Sequence, residues 1–245
     1  MSLNQGEMLY EGKAKIIYRL KDKPDCVLVE YKDSLTAFNA QKKGEFKAKG
    51  ELNRNIATLI FKYLGRQGVK HHWVEDVGPR AMICREVKIV PLEVVVRNRL
   101  AGSTAKKFNI EEGVALPAPL VEFYFKDDAL GDPFLSDDQA LMLKAVGSRA
   151  ELDQLREQAL LVNRNLKTLF SEIGIDLIDF KIEFGRTLKG ELLLADEITP
   201  DCCRLWDMKT GEKMDKDRFR RDLGNVEESY REVWQRLQKR WENEL

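Results

Sequence analysis

Between Ile175 and Ile198 the chain carries two short strand-like runs whose faces differ sharply in polarity, and no other stretch restricts the fold so tightly. The first runs from Ile175 to Phe184 and the second from Glu191 to Ile198. Strand side chains alternate between faces. Ile178, Phe180, Ile182 and Phe184 therefore share an apolar side, whereas Asp179, Lys181 and Glu183 share the other. The segment Gly185 to Gly190 reads as the turn between them. It returns Asp196 and Glu197 toward the charged side. Carboxylates gathered on one sheet face repel unless a cation lies between them. A Mg²⁺ ion carrying nucleotide phosphates meets that need, because it is usually held by one or two carboxylates plus phosphate oxygens. A solvated face with a Lys–Glu cross-strand pair meets it as well.

Alternation elsewhere places strands at Leu9–Tyr18 and Cys26–Tyr31, forming an antiparallel hairpin across Lys21–Asp25. Lys49–Leu64 has helical periodicity, with Leu52, Ile56, Leu59, Ile60 and Tyr63 on one stripe that Gly65 closes. Ala81–Lys88 and Leu92–Val96 are apolar strands, and Pro91 between them indicates an edge or a connection. Ser148 and Glu151 form a capping box ahead of a long helix ending near Gly174. A second amphipathic pattern starts near Asp217 and is kinked or interrupted at Gly224.

The resulting fold class is α+β. The boundary near Val87–Leu92 predicts a small antiparallel β-rich lobe over residues 1–88 and a larger α+β lobe over 89–245. A length of 245 residues is enough for one large domain or two modest ones, each with its own core. Two lobes create a cleft, where small ligands usually bind.

Acidic and basic residues balance at 41 each, so no global field draws the chain to nucleic acid or a membrane. No apolar run approaches the ~20 residues of a membrane span. The N-terminus lacks the basic and apolar blocks of a secretion signal. Cys26, Cys84, Cys202 and Cys203 show no CxxC spacing, and with two histidines they do not compose a zinc site. Scattered thiols suit a reducing cytoplasm. His71 and His72 read as a surface turn entering a strand, with a general base as the alternative.

Three constellations carry chemistry. In Glu11-Gly12-Lys13-Ala14-Lys15, alternation puts Lys13 and Lys15 on one face, and Gly12 permits close backbone approach. Two ammonium groups beside a glycine suit a polyphosphate, though surface lysines would look the same. In Val94–Thr104, a strand ends at Arg97 and Arg99, turns through Gly102 and opens a short helix at Ser103. A helix N-terminus presents free N–H groups to an anion, and Arg97 adds a bidentate donor. The alternative is Ser103 as a plain N-cap with the arginines solvated. After the 175–198 pair, Thr199-Pro200-Asp201 turns the chain so that Arg204 can face the carboxylates, or else pair with Asp201 or Asp207.

Together these segments resemble the SAICAR synthetase family of bacteria. The resemblance is carried by Tyr10–Lys15, Val95–Ser103, Asp179–Phe184, Asp196–Asp207, Lys126–Asp132 and Met214–Arg220, in order along nearly the whole chain. It implies a two-lobed fold like that of ATP-grasp enzymes and kinases, with nucleotide between the lobes. It also implies a ligase of purine synthesis that uses ATP and Mg²⁺ to join carboxyaminoimidazole ribotide (CAIR) to L-aspartate, as a cytoplasmic homodimer.

By resemblance, Lys13 and Lys15 would contact the ATP phosphates with Gly12 giving close backbone approach, Lys126 would be another nucleotide contact, and Arg85, Lys88 and Ile89 would lie against adenine. Glu183 and Asp196 would hold Mg²⁺. Arg97, Ser103, Arg204 and Arg220 would bind the ribotide phosphate. Asp179 and Lys181 would face the ribotide near its reacting end, and with Lys13 would serve as the catalytic set. Asn39 and Ala40 depart from members that carry an aspartate and a glycine in that loop, so a metal role there is not carried over. A small-molecule kinase and a non-catalytic ATP-binding regulator are the rival readings.

Overall fold

The computed structural model describes residues 4–37 and 41–243. Its elements in chain order begin with β1 (Gln5–Glu11), β2 (Lys15–Leu20), β3 (Cys26–Tyr31), β4 (Ser34–Ala37) and β5 (Lys42–Glu45). Helix α1 (Lys49–Arg66), β6 (Trp73–Val77) and β7 (Ala81–Arg85) complete the first part. The second part contains β8 (Lys88–Arg99), α2 (Gly102–Phe108), β9 (Ala115–Phe125), β10 (Phe134–Leu135), α3 (Asp137–Met142) and α4 (Arg149–Glu172). Then follow β11 (Ile175–Arg186), β12 (Leu192–Ala195), β13 (Cys203–Asp207), α5 (Asp217–Arg220) and α6 (Val226–Glu242).

The fold is α+β, as expected. One sheet has the order β1-β2-β3-β7-β6, a second β10-β9-β8-β11-β12 with β13 also pairing β11, and β4 and β5 form a separate two-stranded sheet. The chain passes from the first to the second at Glu86–Val87. Helix α4 packs on β11 and β8, while α1 packs on both β3 and α6. One buried cluster runs from Ile56 and Phe61 of α1 through Val94 of β8 and Leu155 of α4 to Phe180 of β11 and Val233 of α6.

The two runs pair as predicted, but the second is shorter than expected: β12 ends at Ala195 and leaves Asp196–Ile198 outside the strand. Glu183 lies opposite Ala195, and Gly185 opposite Leu193. Strand β11 runs on through Gly185 to Arg186, so the turn is shorter than expected. Ile178, Phe180, Ile182 and Phe184 are all buried.

Four expectations are corrected. Leu9–Tyr18 is not one strand: Gly12 to Ala14 form a tight turn closed by the Gly12 N–H on the Lys15 carbonyl at 2.9 Å, which separates β1 from β2. The hairpin across residues 21–25 is therefore β2 with β3. Pro91 lies inside β8, a central strand. It is tolerated because the β8–β11 register shifts between Glu183 and Gly185, and the β8–β9 ladder begins only at Leu92. Ser148 does cap α4, accepting the Glu151 N–H at 3.2 Å, but Glu151 reaches Gly147 rather than closing the box. Helix α1 runs past Gly65 to Arg66. At Gly224, with φ of 69°, the C-terminal helical pattern breaks into α5 and α6.

Candidate active site

Alternation in β11 turns Asp179, Lys181 and Glu183 away from the core into a cleft. Strand β12 delivers Asp196 beside them, because the residue after Ala195 takes a left-handed backbone with φ of 61°. Aspartate tolerates that conformation better than most residues, at about 1–2 kcal/mol. Lysines from β2, β11 and the segment after β9 separate the acidic groups. Lys181 Nζ lies 2.6 Å from Glu93, 3.2 Å from Glu183 and 4.0 Å from Asp196. Lys126 reaches Glu183 at 2.7 Å. Lys15 pairs with Asp196 and, at 2.6 Å, with Glu197.

The electrostatics follow from that interleaving. Burial disfavours charge on Asp196, but Lys15 and Lys181 outweigh it and hold its carboxyl well below the usual range. Burial likewise opposes charge on Lys181, yet Glu183 and Asp196 raise it well above an ordinary lysine, and Lys15 is raised by Asp196 and Glu197 against the same penalty. Asp196, Lys15 and Lys181 are thus held in their charged forms, whereas burial and the neighbouring Asp196 raise the Glu197 carboxyl against the pull of Lys15. Glu183 and Asp196 offer hard carboxylate oxygens to one cleft, the donor type Mg²⁺ prefers. Among the described residues, no cluster of three or more acidic, histidine or cysteine side chains can hold a metal alone. The donor set therefore fits an ion whose remaining ligands come from phosphate.

Two cavities meet at Lys181 and Asp196. The first, of about 520 Å³, has an apolar end formed by Ile17, Val27, Val29, Met82 and Ile89, and a charged end at Lys15, Lys126 and Glu183. That combination suits a flat ring attached to a polyanion. The second, of about 350 Å³, is polar and lined by Arg97, Asp179, Arg204, Lys216 and Arg220.

The second cavity is built on an alternating chain of charges. Arg97 Nε bonds Glu122 at 2.7 Å and its Nη1 bonds Asp179 at 2.7 Å. Arg204 joins Asp179 at 2.9 Å to Asp217 at 3.0 Å, and Asp217 binds Arg220 at 2.6 Å. These carboxylates fix the guanidinium planes before any ligand arrives. Gly102 is required beside them: with φ of 61°, a side chain there would run into the Arg204 guanidinium.

The placement of each expected residue can now be stated. Gly12, Lys15, Arg85, Ile89, Lys126 and Glu183 line the first cavity, and Arg97, Asp179, Arg204 and Arg220 the second. Lys13, Lys181 and Asp196 line both. Lys13 sits on the β1–β2 turn and pairs with exposed Asp128 at 2.7 Å, so it does not share a strand face with Lys15. Arg85 is tied to Glu191 at 3.0 Å. Lys88 and Ser103 are exposed and line neither cavity. Helix α2 is capped at Ala101, and the Gly102 N–H donates to Glu112 at 2.9 Å, so Ser103 is no N-cap. Arg204 pairs with neither Asp201 nor Asp207. Asn39 and Ala40 lie outside the described residues.

Two contributors are not singled out by the sequence pattern, and a third is placed differently from its expectation. Glu93, a lone glutamate in apolar β8, was legible as an odd residue in a hydrophobic run. Lys216, four residues before Arg220, makes no side-chain hydrogen bond or ion pair among the described residues; burial pulls its pKa down although Asp201 opposes this. His72 is 7% exposed, not on a surface turn, because residues 70–72 pair alongside β12. Burial and Lys15 lower its pKa to about 3, leaving a neutral ring.

Asp215 supports the arginine chain from beneath. Fully buried, it accepts the N–H groups of Leu205 at 2.8 Å and Asp217 at 2.7 Å. Burial and the nearby Asp217 push its pKa up to about 7. A carboxyl raised in the fold retains a proton that the unfolded chain has released. Its contribution is complete below about pH 4 and is lost as pH rises through about 7. Asp215→Asn should flatten the fall of stability between pH 5 and 8, which in the parent chain has a slope of at most about 1.4 kcal/mol per pH unit from this group. Denaturant melts across that range check it; an unchanged slope contradicts the assignment.

Comparison with known proteins bears on the same residues. The family model for SAICAR synthetase matches residues 8–237. The phosphoribosylaminoimidazole-succinocarboxamide synthase of Clostridium perfringens is 55% identical over 96% of this chain and 99% of its own length. A crystal structure of the enzyme so named from Ehrlichia chaffeensis superposes with a TM-score of 0.91 at 42% identity, covering 95% of this chain and 98% of that one. A structure described as SAICAR synthetase (Type-2) in complex with ADP gives a TM-score of 0.90 at 44% identity, with 94% and 97% covered.

Proposed function

The chain belongs to the SAICAR synthetase family, ATP-dependent ligases of purine biosynthesis, and from that premise we propose how its two joined cavities divide the work. The apolar cavity takes ATP and the polar one takes CAIR and L-aspartate, with Lys181 and Asp196 at their junction. That junction is the observation that carries the reading, since phosphoryl transfer needs the nucleotide and its acceptor to meet. The solved relative described with ADP supports the nucleotide assignment. The division into lobes near Val87–Leu92 belongs to the same proposal, as do a homodimeric assembly and a cytoplasmic setting. Four free thiols accord with that setting, and no helix among the described residues is long and apolar enough to cross a membrane.

In this scheme a carboxylate oxygen of CAIR attacks the γ-phosphorus, forming a C–O–P linkage as the bond to the bridging oxygen of ADP breaks. The amine of aspartate then attacks the acyl carbon, phosphate leaves with the linking oxygen, and the nitrogen loses a proton. Phosphorylation is what turns oxide, a hopeless leaving group, into phosphate. Glu183 and Asp196 would hold Mg²⁺, which when bound supplies neutralisation of the phosphate charge. Lys13, Lys15 and Lys126 align the triphosphate, and Lys181 bridges the two sites. Arg97, Arg204 and Arg220 orient the ribotide phosphate, aided by Asp179 as the group that fixes two of those guanidiniums. Ser103 and Lys88, both outside the cavities, contribute least.

Release of ADP measured with CAIR, with and without L-aspartate, tests the reading. Turnover that needs both substrates supports it; ADP formed equally without aspartate favours a kinase, and no turnover with either favours a binding protein. Transfer of ¹⁸O from the CAIR carboxylate to phosphate tests the acyl phosphate, and its absence rules out that route.

Lys216 carries a separate prediction. Its uncommitted ammonium in the polar cavity suits a carboxylate or phosphate of a substrate. Lys216→Met should raise the KM of one anionic substrate by about 10-fold or more, the equivalent of a charged hydrogen bond of about 1.5–3 kcal/mol. Steady-state kinetics in each substrate check it, and unchanged KM values for all three would remove Lys216 from the site.

A further inference from the structure

We infer that His72 is a positioning residue for the Asp196 carboxylate: its Nε2–H donates to the Asp196 carbonyl and holds that residue in the left-handed conformation that aims its side chain at Lys15 and Lys181. The inference rests on the role proposed above for Asp196 and deepens it.

The contact spans 3.0 Å. A carbonyl oxygen can only accept, so the Nε2 nitrogen carries the proton. A non-glycine residue at φ of 61° persists only where its surroundings over-determine it. Those surroundings are built from residues 70–72. The Leu194 N–H donates to the Lys70 carbonyl at 3.0 Å, the His72 N–H to the Leu194 carbonyl at 2.9 Å, and the Arg85 N–H to the His72 carbonyl at 2.7 Å. Phe61 packs edge-on against the imidazole, with ring centroids 5.5 Å apart. The backbone of His72 is thus laced to β12 on one side and to β7 on the other, and its ring is wedged by the core of α1. From this fixed point it grips the first residue beyond β12. Without the donor, a partly buried carbonyl would lack its partner, and the chain after Ala195 would be free to relax toward extended conformations that swing the carboxylate away from the lysines.

The test compares His72→Phe, which fills the ring space without a donor, with His72→Gln, which keeps an amide N–H. ADP affinity is measured by calorimetry with excess Mg²⁺ and again in EDTA. His72→Phe should lose about 10-fold or more of the affinity that Mg²⁺ adds, read as the ratio of the ADP Kd in EDTA to that in Mg²⁺ so that any direct effect on ADP cancels, as expected when a group supporting a metal ligand is removed. His72→Gln should recover most of the loss. A crystal structure of His72→Phe should show Asp196 outside the left-handed region. If His72→Phe does not fold, His72→Met against His72→Gln supplies the same contrast. Parental Mg²⁺ dependence in the donor-free variant, or equal loss in both variants, overturns the inference. If Asp196→Asn itself leaves the Mg²⁺ dependence intact, it is the role of Asp196 that fails, which separates the two outcomes.

Discussion

Replacing Asp196 by asparagine should lower kcat by at least about 10²–10³-fold, the scale of removing one preorganised electrostatic group from an active site. The substitution is isosteric, and asparagine tolerates the left-handed backbone as well as aspartate does. Lys15 keeps Glu197 as a partner, and Lys181 keeps Glu93 and Glu183. The fold should therefore lose no more than about 1–3 kcal/mol, the range for hydrogen bonds to charged groups. What disappears is one of two carboxylates offered to Mg²⁺ and one of the negative charges that raise both lysines. Turnover and a denaturant melt on the same preparation separate chemistry from folding. Near-normal turnover would take Asp196 out of the metal site.

Arg97→Ala should be the most destabilising of the single changes considered. The side chain is 5% exposed and joins Glu122 and Asp179, both largely buried. Removing one partner of a buried ion pair typically costs about 3–5 kcal/mol, because the remaining charge is left without compensation. Asp179 also anchors Arg204, so the second guanidinium loses its fixed plane. A chain that still folds should show a raised ribotide KM from both arginines. Arg97→Lys should restore part of the stability but not the KM, since an ammonium cannot bond two carboxylates in the fork geometry of a guanidinium. A melt unchanged from the parent would show that Arg97 is not integral to the buried charge chain.

The α+β class, the 175–198 strand pair and the three long helices α1, α4 and α6 were legible because period-2 and period-3.6 patterns reflect burial directly. The β1–β2 turn was missed because Tyr10 to Ile17 alternates as a single strand would, and only the Gly12 to Lys15 closure reveals the reversal. The expectation about Pro91 failed because a register shift, invisible in composition, removes the ladder position where proline would be penalised.

In the site, the sequence alone was enough to identify which side of β11 bears charge and which carboxylates follow the hairpin, since strand alternation is a local property of the chain. The partners of those charges were decided by tertiary structure. Lys15 meets Asp196 across 181 positions, and Arg97 meets Asp179 across 82. His72 reaches its carbonyl acceptor across 124. Periodicity reports how each element divides its residues between core and solvent. Which charged faces then confront one another depends on the packing of whole sheets, a long-range outcome that no local spacing encodes.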